Sequence, residues 1–199
     1  MRLRSQWFRN AQPRTAEERA GAVAVVAWKI AQNALKNTRR AHFELAVGTP
    51  YLAFLQEFLI FLIQVADRLV YAQAPWNVRV PFTTTLSQRL ADVLADNQST
   101  LLGGDAAAIR AEFIRVLNER AEGYAEFEFD PHKGYFGFIR YLGSTLEAVM
   151  TGADQSWILD YTMQREAPEA IDHLQKAITR LFDETPRQRR VPGPVTGPE

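Results

Sequence analysis

Residues 51–72, YLAFLQEFLIFLIQVADRLVYA, form the most apolar stretch of the chain. At 100° per residue, its five polar or charged side chains fall within about 120° of a helix and leave roughly 240° apolar. These five are Gln56, Glu57, Gln64, Asp67 and Arg68. A membrane-spanning helix would incur a penalty for each central charge, whereas the central helix of a soluble bundle needs such a polar stripe. The stretch therefore predicts a central bundle helix and no membrane span.

The wide apolar surface of this helix has two explanations. Either the helix is central in its own bundle, or a second subunit completes its burial. The second explanation predicts a homodimer, for which Phe58, Phe61 and Leu62 are the candidate interface residues. The first explanation, a single buried helix in a monomer, accounts for the pattern equally well.

The segments on either side of this helix also have helical periodicity. Thr15 and Glu18 form a capping-box pattern before a run with alanines at helical spacing, and Thr49-Pro50 suits the start of the apolar helix. Pro75 and Pro81 predict a loop over residues 73–82. The remaining apolar repeats complete an all-α helical bundle of six or seven helices. The expected helices span about 16–46, 49–72, 84–101, 106–125, 131–151, 154–165 and 168–182.

Length and composition indicate one domain between two basic ends. We expect a basic N-terminal arm over residues 1–14, a single all-helical domain over 15–185, and a disordered Pro/Gly/Arg-rich tail over 186–199. The chain has no cysteine, and its N-terminus lacks the apolar core of a signal peptide. These features predict a cytoplasmic protein, since thiol-free chains suit a reducing compartment.

The net charge is zero, but it is unevenly distributed. Residues 1–40 hold nine Lys/Arg and two acidic residues, whereas residues 41–184 hold eleven and twenty. In the arm, arginines flank Trp7 and Phe8, a combination that can neutralise phosphates and stack on bases. The acidic body disfavours a polyanionic partner, so nucleic-acid association is the third hypothesis for function.

An alternating acidic segment is the sharpest candidate for metal chemistry. Glu126, Glu128, Asp130 and His132 occupy every second position and would share one side of an extended strand. Carboxylates and an imidazole could hold a divalent metal. Alternatively, burial of the intervening phenylalanines would by itself place these polar side chains in solvent. A metal-binding or small-ligand bundle, with catalysis as an option, is therefore the second hypothesis.

Familiar catalytic patterns do not occur in this sequence. There is no cysteine, no G-x-S-x-G, no phosphate-binding loop and no Glu-x-x-His pair of the kind used by helix-bundle metal enzymes. Glu169 and His173 lie one helical turn apart, which surface exposure explains. The leading hypothesis is a non-catalytic scaffold, adaptor or regulatory component, without a cofactor, that binds itself as a homodimer or another protein.

Overall fold

The computed structural model of the chain describes residues 14–183, apart from the side chain of Ala153. Within this range the protein is an all-α bundle without a β-strand, as predicted. Residues 1–13 of the basic arm and all of the 186–199 tail lie outside the described residues. The helices are α1 (Ala16–Arg40), α2 (Thr49–Tyr71), α3 (Trp76–Leu102), α4 (Ala106–Ala125), α5 (Phe136–Glu147), α6 (Gln155–Tyr161) and α7 (Ala167–Phe182).

Helix α2 is the centre of the bundle. It packs against α1, α3, α4, α5 and α7, and most of its side chains are buried. Its length and composition would also allow it to cross a membrane, and it is the one helix of this kind in the described part of the chain. Because 67% of its most apolar window is buried inside the fold, it has the character of a core helix.

Contacts between side chains define the relative orientations of α1, α3 and α7, which pack around α2. Gly21 of α1 lies beside Arg89 of α3, and Trp28 lines the same cavity as Asp96, so α1 and α3 run parallel. Helix α7 runs antiparallel to α1, because Asn37 contacts Glu166 at one end and Arg19 lies over Phe182 at the other. Buried alanines along α1, including Ala24 and Ala31, keep these helices close.

The predicted loop over residues 73–82 is wrong from residue 76 onward. Pro75 is instead the N-cap of α3, which begins at Trp76 and contains Pro81. A proline in this second turn removes one helical N–H donor, which costs stability locally. The Asp67 carboxylate of α2 offsets this loss, because it accepts hydrogen bonds from Arg79 (2.9 Å) and Thr83 (2.8 Å) on either side of the proline.

Other boundaries also differ from the expected ones. Helix α1 ends at Arg40 and a loop with His42 at φ +69° follows, because the chain must turn there to enter α2. Helix α5 begins at Phe136, after a non-helical entry with Gly134 at φ +136°. Helices α6 and α7 are joined without a break by a π-helical turn over Thr162–Glu166. The α4 start is confirmed, with the Asp105 carboxylate accepting from two backbone N–H groups.

Candidate functional site

An open cavity lies between the C-terminal halves of α1 and α3 and the N-terminal half of α2. Its volume is about 660 Å³, within the range of ligand and peptide sites in proteins. Trp28, Leu52 and Leu55 form an apolar floor and are nearly buried. At its edge, Val47 and Leu101 are 64% and 46% exposed. The apolar lining therefore continues from the floor to the surface.

The same depression has a cationic end. A second cavity of about 520 Å³ shares Gln32, Arg39 and Tyr51 with the first and is also lined by Lys36 and Arg40. We call the two together the α1–α3 groove. Lys36, Arg39 and Arg40 are exposed and form no ion pair within residues 14–183. Their position in the last turns of α1 suits the helix dipole, yet their charges remain available to a partner.

Most polar side chains on the α3 wall of the groove already donate hydrogen bonds to backbone carbonyls. The Asn97 amide donates to the Val93 carbonyl, the Thr100 hydroxyl to the Asp96 carbonyl, and the Ser99 hydroxyl to the Gly104 carbonyl. These polar groups already have backbone partners. The lining also contains a carboxylate, that of Asp96. The three cations of α1 outnumber it and concentrate positive charge at one end of the groove.

A smaller cavity lies on another side of α1, where α7 packs against it. Its volume is about 160 Å³, and its polar lining consists of Asn33, Asn37, Glu166, Glu169 and His173. We call it the α1–α7 cavity. Glu166 ends the π turn and is only 3% exposed. Burial raises the pKa of its carboxyl, although hydrogen bonds from Tyr161 and Asn37 act in the opposite direction. A π turn and a buried carboxyl beside a cavity are both features common at functional sites.

A second buried carboxylate, Glu57 of α2, has a different environment. Arg120 of α4 donates to both of its oxygens, at 3.1 and 3.0 Å. This fork-like ion pair holds α4 onto α2. Beside it, burial raises the pKa of the Tyr124 hydroxyl well above its usual value. The pair lines none of the cavities described above, so its geometry indicates a structural role.

The predicted metal segment does not converge on a site. Among the described residues no three His, Asp or Glu side chains are placed to hold a metal ion. Glu126, Glu128 and His132 are exposed. The Asp130 carboxylate accepts from the backbone N–H groups of His132 and Lys133, which lowers its pKa.

Burial of two aromatic rings accounts for the alternation of this segment. Phe127 packs on Tyr141 and Phe129 packs on Phe138. The polar residues between them are consequently turned outward. This is the alternative that the sequence had left open, and it requires no ion.

The predicted dimer interface lies inside the bundle. Phe58, Phe61 and Leu62 are each 0% exposed, with the Phe58 and Phe61 rings 5.8 Å apart and Phe61 against Tyr124. In this fold a second subunit cannot reach them. The apolar surface of α2 is explained by burial within one chain, and any interface between two copies would use other residues.

The sequence predicted neither the α1–α3 groove nor the α1–α7 cavity. The basic residues near the end of α1 and the position of Trp28 beside the alanine stripe are visible as a pattern. The burial of Glu166 has no such signal, because its partners Asn37 and Tyr161 come from distant or irregular positions. No family model matches the sequence, and no curated protein or solved structure shows significant similarity to the chain.

Proposed function

We propose that this protein is a non-catalytic interaction module that binds an acidic, amphipathic segment of a partner protein in the α1–α3 groove. The proposal rests on the combination of an apolar floor with three cations at one end that form no ion pair within the described part of the chain. Helical or extended segments that lie in such grooves are anchored by apolar side chains and oriented by charge.

The exposed apolar edge favours a protein segment as the occupant over a small molecule. Val47 and Leu101 stand 64% and 46% exposed at the rim, where a compact ligand on the floor would leave them in water. A segment with apolar residues on one face would cover both the floor and the rim. Contiguous exposed apolar surface bordered by charge is typical of protein interaction sites.

Charge complementarity defines the partner and disfavours the chain's own ends. Lys36, Arg39 and Arg40 attract carboxylates, while residues 1–13 carry three arginines and no acidic residue. Residues 185–199 hold three arginines against one glutamate. Like charges would repel at this rim, so the segment belongs to another molecule.

A displayed library of random 16-residue peptides, panned against the full-length protein, tests the proposal. The selected peptides should combine Leu, Ile or Phe with an excess of Asp and Glu. Arg39→Glu should weaken their binding at least tenfold, because it turns an attraction into a repulsion at the rim. Leu101→Asp should weaken it similarly by placing a charge on the apolar edge. Fluorescence anisotropy of the labelled peptides measures both effects.

Lys29→Glu is the matched control, since Lys29 is exposed on the same helix and does not line the groove. It should leave the affinity unchanged. Selected peptides without acidic excess, or equal binding by Arg39→Glu, would refute the proposal. Saturable binding of decanoate by a protein that selects no peptide would instead make the groove a small-ligand site. A dimer mass by light scattering that falls to the monomer in Arg39→Glu would identify the occupant as a second copy.

A further inference from the structure

The α1–α7 cavity contains a buried carboxylate that has no cationic partner. Glu166 is 3% exposed and forms no ion pair within 4 Å in the described part of the chain. The neighbouring Arg165 is directed to Glu169 instead, at 3.9 Å. Buried charges in proteins are usually paired with an opposite charge, so this carboxylate lacks the compensation expected for its burial.

The two oxygens of Glu166 are held unequally. The Tyr161 hydroxyl donates to Oε1 at 2.8 Å. Among the described residues, Oε2 accepts from Asn37 Nδ2 alone, at 3.4 Å, which is longer than the usual 2.7–3.2 Å for N–H···O bonds. Asn37 lines the cavity and Tyr161 does not. The weakly bonded oxygen is therefore the one on the cavity side, and it keeps capacity for a stronger donor.

The other lining groups supply further acceptors and an apolar wall. Glu169 and the side-chain amide oxygens of Asn33 and Asn37 can accept, Ile30 and Ala170 are apolar, and the imidazole of His173 completes the polar lining. No lysine or arginine lines the cavity within the described residues. Its 160 Å³ corresponds to the space of about five water molecules. This volume suits a small organic group better than a large ligand.

We infer that the α1–α7 cavity binds a primary ammonium group carried on a short aliphatic stem, with the Glu166 carboxylate as its counter-ion. An ammonium has three N–H donors, which match Glu166 Oε2 and two neighbouring acceptors. The stem would lie against Ile30 and Ala170. A metal ion fits less well, since no three acidic or histidine side chains here converge on one point.

The ammonium group has two possible sources, a free alkylamine or the side chain of a lysine in another protein. Both present the same chemistry to Glu166. A lysine has four methylene groups in its stem, as n-butylammonium has four carbons. This site is separate from the α1–α3 groove, so its failure would leave the proposed function unaffected.

Titration of the isotope-labelled full-length protein with n-butylammonium chloride at pH 8 tests the inference, since an alkylamine remains protonated there. The side-chain amide signals of Asn33 and Asn37 should shift saturably with one-site behaviour. n-Butanol is the matched uncharged control and should produce no saturable shift. A capped Gly-Lys-Gly peptide distinguishes the sources: tighter binding than n-butylammonium assigns the site to a protein lysine, and weaker binding assigns it to a free amine.

Two variants locate the binding on Glu166. Glu166→Gln should weaken n-butylammonium binding at least tenfold, whereas Glu169→Gln should weaken it only two- or threefold because its side chain is 54% exposed. Asn33→Lys places a tethered ammonium at the cavity mouth on an exposed position and should also weaken binding at least tenfold. Circular dichroism verifies that each variant folds. If Glu166→Gln does not fold, the affinity of Asn33→Lys for n-butylammonium tests the inference. Absence of a saturable shift in the wild type, or unchanged binding in the folded variants, would overturn the inference.

Discussion

Two glutamates of this bundle are buried to nearly the same extent but are stabilised differently. Glu57 is 6% exposed and Glu166 is 3% exposed. Arg120 holds Glu57 with two charge-assisted hydrogen bonds, whereas Glu166 has only the neutral groups of Tyr161 and Asn37. The first lies between α2 and α4, and the second lies at the π turn before α7.

The burial of Glu57 is compensated by a cation, whereas the burial of Glu166 is not compensated by a cation within the described residues. A guanidinium that contacts both carboxylate oxygens compensates the burial of Glu57 and fixes α4 on α2. Two neutral donors compensate Glu166 only in part, which is why burial raises its pKa. This difference is the basis of the ammonium site proposed for the α1–α7 cavity.

Arg120→Met should produce the largest loss of stability. It leaves Glu57 buried without its cation, and breaking a buried pair in this way costs about 3 kcal/mol or somewhat more. Urea denaturation measures the change in the free energy of unfolding. The double variant Glu57→Leu/Arg120→Met is the control and should recover most of the loss, because no charge remains buried. A loss below about 1 kcal/mol in the single variant would mean that water reaches Glu57. Its stability would then not depend on a cationic partner, and Glu57 would not differ from Glu166 in this respect.

Tyr161→Phe should have an intermediate effect. It removes the 2.8 Å hydrogen bond to Glu166 and should cost about 1 kcal/mol, since the carboxyl retains Asn37 and can take up a proton. The same urea experiment in a Glu166→Ala background is the control, where the tyrosine substitution should cost much less. Equal costs in the two backgrounds would show that the hydroxyl stabilises the fold through some other group.

Glu166→Gln should change how stability depends on pH. Because the folded-state pKa of Glu166 is raised above its ordinary value of 4.5, the wild type has the full stabilising contribution of this group below pH 4.5 and loses it as the pH rises through the folded-state pKa. Glutamine does not titrate. The urea midpoint of the variant relative to the wild type should therefore increase as the pH rises above 4.5, and it should level off once the pH exceeds the folded-state pKa of Glu166. A difference in urea midpoint that does not change with pH would show that the burial of Glu166 does not raise its pKa, contrary to the prediction.

The sequence predicted helix boundaries correctly where residues within one helical turn set the boundary. The Thr15–Glu18 capping box and the Asp105 N-cap both form as expected, because a cap needs only residues within one turn. The loop expected around Pro81 did not form, because the Asp67 contacts to Arg79 and Thr83 come from another helix. Local proline chemistry was outweighed by a tertiary interaction that no short window contains.

The candidate sites show the same difference between features that depend on local sequence and features that depend on contacts between helices. Periodicity and charge determined by themselves that the chain is an all-α bundle with a cationic end on α1, since these depend on spacing along one helix. The inward orientation of Phe58, Phe61 and Leu62 depends on packing between helices. The same holds for the pairing of Glu57 with a cation and the lack of one at Glu166 within residues 14–183. Burial and pairing depend on which residues of distant helices meet. A carboxylate in the sequence is the same chemical group at both positions, and its neighbours across the helix interface give it its role.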